Sequence, residues 1–123
     1  MAEYQTIVYE VKEGLCVIKL NRPRKKNSFS PEMYVEVSSA LSRAAADDDV
    51  SVTVITGEGD YYSSGNDLSN FLMIDMSQPD ALQKALDDSK HFLTIFVESF
   101  IKFPKLLIAA VNGPAFGIAA TTI

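Results

Sequence analysis

The chain has 123 residues, of which 47% are hydrophobic and 22% charged, a balance typical of a single globular domain. Its net charge of −5 argues against nucleic acid or an anionic membrane as a partner over the whole surface. One cysteine, Cys16, excludes an internal disulfide framework and is expected in the core. No signal peptide, targeting tripeptide or apolar run of membrane-spanning length is visible, which indicates a protein that is neither secreted nor membrane-embedded.

Two β-rich segments open the chain, residues 6–11 and 15–20, and a short glycine turn between them predicts a hairpin. Ser30 and Pro31 then predict a helix start, because serine caps a helix and proline presets φ at its first position. Apolar residues at helical spacing continue to the acidic run 47–49, which favours a solvated turn over a metal cluster.

The second half of the chain alternates strands with helices. Residues 50–56 are β-branched and predict a strand covered on both faces. A mobile loop is expected at 71–79, followed by a helix from Pro79 that stops at Phe103-Pro104. Residues 106–111 predict the next central strand. This order indicates an α/β fold with a largely parallel sheet.

The end of the chain predicts a new helix from Phe116. Only about two turns fit before Ile123, too few for an isolated helix to be stable. We therefore expect the chain to be a fragment of a longer domain.

Two strand ends carry turns that can form one site. The turn at 60–68 follows the strand at 50–56, and the turn at 112–117 follows the strand at 106–111. Each opens through glycine, so together they can direct two backbone N–H groups at one point. A thioester oxygen needs such a pair when it becomes an oxyanion, which favours acyl-thioester chemistry. The alternative is that both turns merely connect a strand to a helix.

Three segments occur in order: Leu20-Asn21-Arg22-Pro23 followed by Asn27, then Ser64-Gly65-Asn66-Asp67-Leu68, then Asn112-Gly113-x-Ala115-x-Gly117. In these segments the chain resembles the N-terminal half of the crotonase superfamily of enoyl-CoA hydratases and isomerases. The residues at 61–68 are most similar to its peroxisomal Δ3,Δ2-enoyl-CoA isomerase branch. The resemblance implies a crotonase-like α/β spiral of ββα units, with residues 1–123 as the N-terminal portion of one domain.

The resemblance also implies site residues. Ser64 and Gly117 would donate the two oxyanion-hole N–H groups, Gly117 from a helix N-terminus that favours negative charge. Asp67 is expected in the loop that lines the CoA pocket, as a substrate-binding residue that supports the turn rather than as a base. Lys25 and Lys26 would contact CoA phosphates or lie in a solvated loop. The remaining predicted substrate contacts are Gly65, Asn66, Leu68, Phe71, Leu72 and Phe116, of which Leu68, Phe71 and Leu72 line an acyl channel or pack in the core.

The resemblance implies a double-bond shift in a 3-enoyl-CoA through a dienolate. Hydratases of this family carry a glutamate three residues after the second oxyanion glycine, where this chain has Ala120, and this departure favours an isomerase. The base would lie beyond Ile123, so the 123-residue chain alone is expected to be inactive. His91 is expected at the surface. No metal is predicted, and no cofactor other than the coenzyme A carried by the substrate.

The implied partner is an acyl-CoA thioester, the implied assembly of the complete protein is a homotrimer, and the implied location is the peroxisome, with the mitochondrion as the alternative. Three other hypotheses about the function remain open. The protein could be a non-catalytic acyl-CoA-binding protein, it could catalyse another crotonase reaction such as acyl-CoA hydrolysis, or it could be a fragment that binds no ligand.

Overall fold

The computed structural model describes residues 3–67, 77 and 80–123. The predictions made for Leu68, Phe71 and Leu72 therefore lie outside the described residues, as does the loop predicted at 71–79 apart from residue 77.

Four strands form one sheet, in which they lie side by side in chain order. They are β1 (Ile7–Lys12), β2 (Leu15–Leu20), β3 (Val52–Gly57) and β4 (Leu106–Ala110). The hairpin of β1 and β2 is antiparallel, whereas β2 with β3 and β3 with β4 are parallel. This confirms the predicted α/β architecture with its largely parallel sheet.

Two helices lie on one side of the sheet. Helix α1 (Pro31–Ala46) packs against β1 and β2. It begins where predicted, with the Ser30 hydroxyl accepting the Met33 N–H at 3.2 Å. Helix α2 (Ala81–Ile101) ends just before Phe103-Pro104 and packs against α1. His91 lies exposed on α2, as predicted.

The core lies between this helical layer and the sheet. Alternate strand residues point into it, and Cys16, Ile18 and Ile55 are fully buried. The rings of Phe29 and Phe96 meet edge to face at a centroid distance of 5.2 Å. The core position predicted for Cys16 is confirmed.

The opposite face of the sheet is apolar but largely uncovered by the elements that the structure describes. Residues paired across β2, β3 and β4 form two rows of aliphatic side chains on this face. In these rows, Leu106 is 61% exposed and Ile108 is 43% exposed. The prediction that β3 is covered on both faces is therefore wrong for the described residues, and β4 lies at the edge of the described sheet rather than at its centre. The six residues of these rows are Leu15, Val52, Leu106, Val17, Val54 and Ile108.

The helix predicted from Phe116 is instead a 3₁₀-helix of six residues, Gly117–Thr122. The prediction of an α-helix here is therefore wrong, and Gly117 begins a 3₁₀-helix instead of the α-helix whose N-terminus was expected to favour negative charge. No helix among the described residues is long and apolar enough to cross a membrane.

Candidate functional site

The two glycine turns lie side by side. Ser63 and Ala115 form an isolated parallel bridge, in which the Phe116 N–H donates to the Ser63 carbonyl oxygen at 3.0 Å. The Tyr62 N–H adds a second link to the Pro114 carbonyl oxygen at 3.1 Å. Main-chain hydrogen bonds therefore join segments that lie about fifty residues apart in sequence, as the two-turn site requires.

Gly65 is placed where the turns approach most closely. Its φ is +93°, and a Cβ atom built on it would lie 2.8 Å from the Phe116 carbonyl oxygen. Gly117 differs, because its φ is +57° but a Cβ atom there would meet nothing within 4 Å. A side chain is thus excluded at Gly65 by conformation and space together, and disfavoured at Gly117 by conformation alone.

The second turn presents two N–H groups. In the short 3₁₀-helix the first internal bond runs from the Ala119 N–H to the Phe116 carbonyl oxygen at 3.1 Å. Among the described residues, the N–H groups of Gly117 and Ile118 donate no hydrogen bond. Either one can therefore serve as a donor to a ligand oxygen, and Ile118 was not among the predicted site residues.

The first turn differs from its prediction at Ser64. The Ser64 N–H donates to the Lys26 carbonyl oxygen at 2.9 Å. A donor role for Ser64 would require this bond to break. Sequence reasoning missed the interaction because Lys26 belongs to a loop almost forty residues earlier.

The peptide group between Gly65 and Asn66 is oriented differently from the one that carries the Ser64 N–H. Its carbonyl oxygen accepts the Phe29 N–H at 2.8 Å. Since the C=O and N–H of a trans peptide point in opposite directions, the Asn66 N–H is directed away from Phe29. The Asn66 side chain is held separately, because its Oδ1 accepts the Tyr34 hydroxyl at 3.0 Å.

Asp67 ties the first turn to the loop after β2. Its Oδ2 lies 3.2 Å from the Arg22 guanidinium and 3.3 Å from the Ser28 hydroxyl. Both charged side chains are largely buried, and the Asp67 N–H donates to the Phe29 carbonyl oxygen at 3.0 Å. These contacts are those of a residue that supports the turn.

Lys25 and Lys26 occupy different surroundings. Lys25 ends a short 3₁₀-helix, Pro23–Lys25, and is exposed. The Lys26 ammonium lies 5.3 Å from the centroid of the Tyr61 ring, which in turn is 6.5 Å from the Phe116 ring. Lys26 and Phe116 thus flank Tyr61, a residue that the sequence did not single out.

A cavity of about 380 Å³ is lined by residues from the first turn and from the 3₁₀-helix that follows the second turn. Asn66 comes from the first turn, and Ile118 and Thr121 come from the 3₁₀-helix. Burial raises the pKa of Tyr34, another lining residue, to about 12, so its hydroxyl stays protonated at neutral pH. The helices supply the other lining residues, which are Pro31, Tyr34, Phe92 and Leu93. None of these described lining residues carries a carboxylate, and Ala120 is not among them.

The sequence of the chain matches a family of known enzymes over most of its length. The family described as enoyl-CoA hydratase/isomerase matches residues 10–120. Human enoyl-CoA delta isomerase 2 is 47% identical over 120 residues, covering 98% of this chain and 29% of that protein. Mouse enoyl-CoA delta isomerase 3, peroxisomal, is 45% identical over 121 residues, covering 98% of this chain and 37% of that protein. The chain therefore spans about a third of the length of these relatives.

Solved structures agree with the sequence comparison. An enoyl-CoA hydratase/isomerase from Xanthobacter autotrophicus Py2 superimposes with a TM-score of 0.73 at 34% identity, covering 91% of this chain and 40% of that one. Pseudomonas aeruginosa OdaA superimposes with a TM-score of 0.77 at 37% identity, covering 96% of this chain and 44% of that one.

Proposed function

Because the chain belongs to the enoyl-CoA hydratase/isomerase family, we propose that it forms the oxyanion-binding part of a site that isomerises a 3-enoyl-CoA thioester to the 2-enoyl form. The observation that carries the proposal is the cavity beside the helices, whose wall contains Asn66 of the first turn and Ile118, the residue that follows the second turn. The names of the human and mouse relatives, both delta isomerases, support this reaction over hydration.

The acyl thioester would enter with its carbonyl oxygen between the two turns. Loss of a C2 proton would produce a dienolate whose charge rests largely on that oxygen, and return of the proton at C4 would complete the shift. One donor would come from the first turn of the 3₁₀-helix, either Gly117 or Ile118, because neither N–H is used within the described structure. The mostly apolar cavity would receive the acyl chain, and Lys26 beside Tyr61 would face the coenzyme A portion.

The other donor would be the N–H of the Gly65–Asn66 peptide, which is directed away from Phe29. Ser64, predicted for this role from the sequence, is the competing assignment, although its N–H donates to Lys26. The base would come from outside the described residues. The carboxylates of Asp67 and Glu58 pair with Arg22 and Lys19, respectively.

The decisive experiment is an isomerase assay on the full-length gene product that follows the absorbance of the conjugated thioester. Turnover of a 3-enoyl-CoA supports the proposal. Hydrolysis of the thioester instead would place the protein with another crotonase reaction, and binding without turnover would make it a non-catalytic acyl-CoA-binding protein. The 123-residue chain assayed alone is expected to show no turnover. Peroxisomal location and trimeric assembly stay predictions, although the mouse relative is named as peroxisomal.

The donors can be separated by replacing one backbone N–H at a time with an ester oxygen, through incorporation of the α-hydroxy acid. Loss of an oxyanion donor lowers kcat by about 10²- to 10³-fold. We expect this loss for the ester at Asn66 and a much smaller one for the ester at Ser64. A full loss at Ser64 with none at Asn66 would restore the assignment made from the sequence. Esters at Gly117 and Ile118 decide the second donor in the same way.

A further inference from the structure

We infer that Asn27 and Asn112 are positioning residues that jointly set the separation of the two glycine turns. They act on the spacer loop, residues 58–61, which follows the end of β3 and includes the first two residues of the first turn. Asn27 precedes α1 and Asn112 follows β4, so the loop is held from two sides by side chains distant in sequence. The catalytic part of this inference rests on the proposed function; the structural part does not.

Asn27 holds the spacer loop from the side of the β2 loop. Its Nδ2 donates to the carbonyl oxygens of Glu58 and Tyr61, both at 2.9 Å. Its Oδ1 accepts the Arg22 N–H at 2.8 Å. The side chain is fully buried, and each of these three hydrogen bonds is made with a backbone group.

Asn112 holds the same loop from the side of β4. Its Nδ2 donates to the carbonyl oxygens of Gly59 at 2.8 Å and Tyr61 at 3.0 Å. Its Oδ1 accepts the Gly57 N–H at 3.0 Å. The two asparagines therefore share one acceptor, the Tyr61 carbonyl oxygen.

Gly113 completes the contact with the spacer loop. A Cβ atom built on Gly113 would overlap the Asp60 carbonyl oxygen, so the second turn packs directly on the loop. All four carbonyl groups of the spacer loop are thus contacted by Asn27, Asn112 or Gly113. The next residue, Tyr62, donates its N–H to the Pro114 carbonyl oxygen of the second turn. A displacement of the spacer loop is therefore expected to displace the second turn as well.

The backbone at Asn27 supports a positioning role. Lys26 and Asn27 both have a φ of 54°, a left-handed conformation that is uncommon for residues other than glycine. For a lysine, such a conformation persists only where surrounding contacts enforce it. The three hydrogen bonds of the Asn27 side chain fix the residue that follows Lys26, whose carbonyl oxygen accepts the Ser64 N–H.

The test replaces each asparagine by aspartate, which keeps the size and the Oδ1 acceptor but removes both donors. Asn27→Asp and Asn112→Asp are compared with Asn21→Asp, an exposed control whose side chain makes no hydrogen bond among the described residues. Amide chemical shifts of the ¹⁵N-labelled chain are read at the far turn, Gly117 for Asn27→Asp and Gly65 for Asn112→Asp. Both variants are expected to move the far-turn amide, whereas Asn21→Asp leaves both amides in place.

Unchanged far-turn amides in both folded variants would overturn the inference. If Asn27→Asp does not fold at neutral pH, the Asn112→Asp result decides alone. A second readout uses pH: an aspartate facing two carbonyl groups has a raised pKa, and once protonated it can donate to one of them. The Gly117 shift of Asn27→Asp should therefore return toward the wild-type value as the pH is lowered and the aspartate becomes protonated, and a shift that persists once the aspartate is protonated counts against the inference.

The catalytic arm uses the full-length gene product. Each aspartate variant is expected to lower kcat about tenfold with little change in KM. The reason is that displacing the donors weakens their hydrogen bonds to the transition state more than it weakens substrate binding. The double variant should lose less than the product of the single losses, since both side chains act on one carbonyl group. If the wild-type protein does not isomerise a 3-enoyl-CoA, the proposed function fails, and the chemical-shift arm still decides the positioning role.

Discussion

Replacing Gly65 by alanine tests whether the two turns are held together as tightly as the structure indicates. The residue has a φ of +93°, a conformation that costs an L-residue about 1–2 kcal/mol. The new Cβ atom would also lie 2.8 Å from the Phe116 carbonyl oxygen, so the turns must separate by several tenths of an ångström to reach normal contact. Overpacking of this kind costs a further ~1–3 kcal/mol. We expect Gly65→Ala to lower the free energy of unfolding by about 2–5 kcal/mol.

The matched control is Gly59→Ala. Gly59 has a similar φ of +84°, but the atom nearest to a Cβ there is 3.6 Å away, on Pro23. Gly59→Ala should therefore lower the free energy of unfolding only by the cost of the backbone conformation, about 1–2 kcal/mol. Urea denaturation followed by far-UV circular dichroism gives both values. Equal losses for the two variants, within about 0.5 kcal/mol, would refute the close approach between Gly65 and Phe116.

Three further predictions follow from other contacts. Asp67→Asn should lower the free energy of unfolding by about 1–3 kcal/mol, because it leaves the largely buried Arg22 without its carboxylate; a loss of kcat far beyond that of the Arg22→Gln variant would instead indicate that Asp67 is the base. Burial raises the pKa of Tyr34 from 10.0 to about 12, so the folded state keeps a proton that the unfolded chain loses, and stability should decline as pH rises from 10.0 to about 12. Tyr34→Phe should remove part of that decline in alkaline urea titrations, and an unchanged slope contradicts it. Burial also raises the pKa of the Cys16 thiol, so this fully buried group should react with a disulfide reagent only when urea unfolds the chain; rapid reaction in the folded state would show that it is accessible.

Local patterns in the sequence predicted most of the secondary structure. The segment of β2 was predicted to the residue, and α1 begins at Pro31 because Ser30 caps it through a hydrogen bond that depends only on neighbouring residues. The glycine turns were also recognisable, since strand ends followed by glycine are a local signal. The short 3₁₀-helix at Gly117 was less accessible, because the sequence pattern alone does not distinguish it from the first turn of an α-helix.

Contacts between distant segments were not predicted from the sequence. The bond from the Ser64 N–H to the Lys26 carbonyl oxygen depends on how the β2 loop lies against the first turn, and no residue type signals it. The lining of the cavity likewise depends on how α2 packs on α1, which brings Phe92 and Leu93 beside Ile118. The separate roles of Asn27 and Asn112 became visible only when their shared acceptor was located.

The direct contacts between the two turns are formed mainly by main-chain atoms. The bridge between Ser63 and Ala115 and the approach of Gly65 to the Phe116 carbonyl group involve no side-chain atom. Side chains such as Phe116, which is 55% exposed, can therefore vary without altering the alignment of the N–H groups. A protein engineer could exploit this separation by changing the ring at position 116, which lies beside Tyr61, while the main-chain contacts that align the two turns are kept.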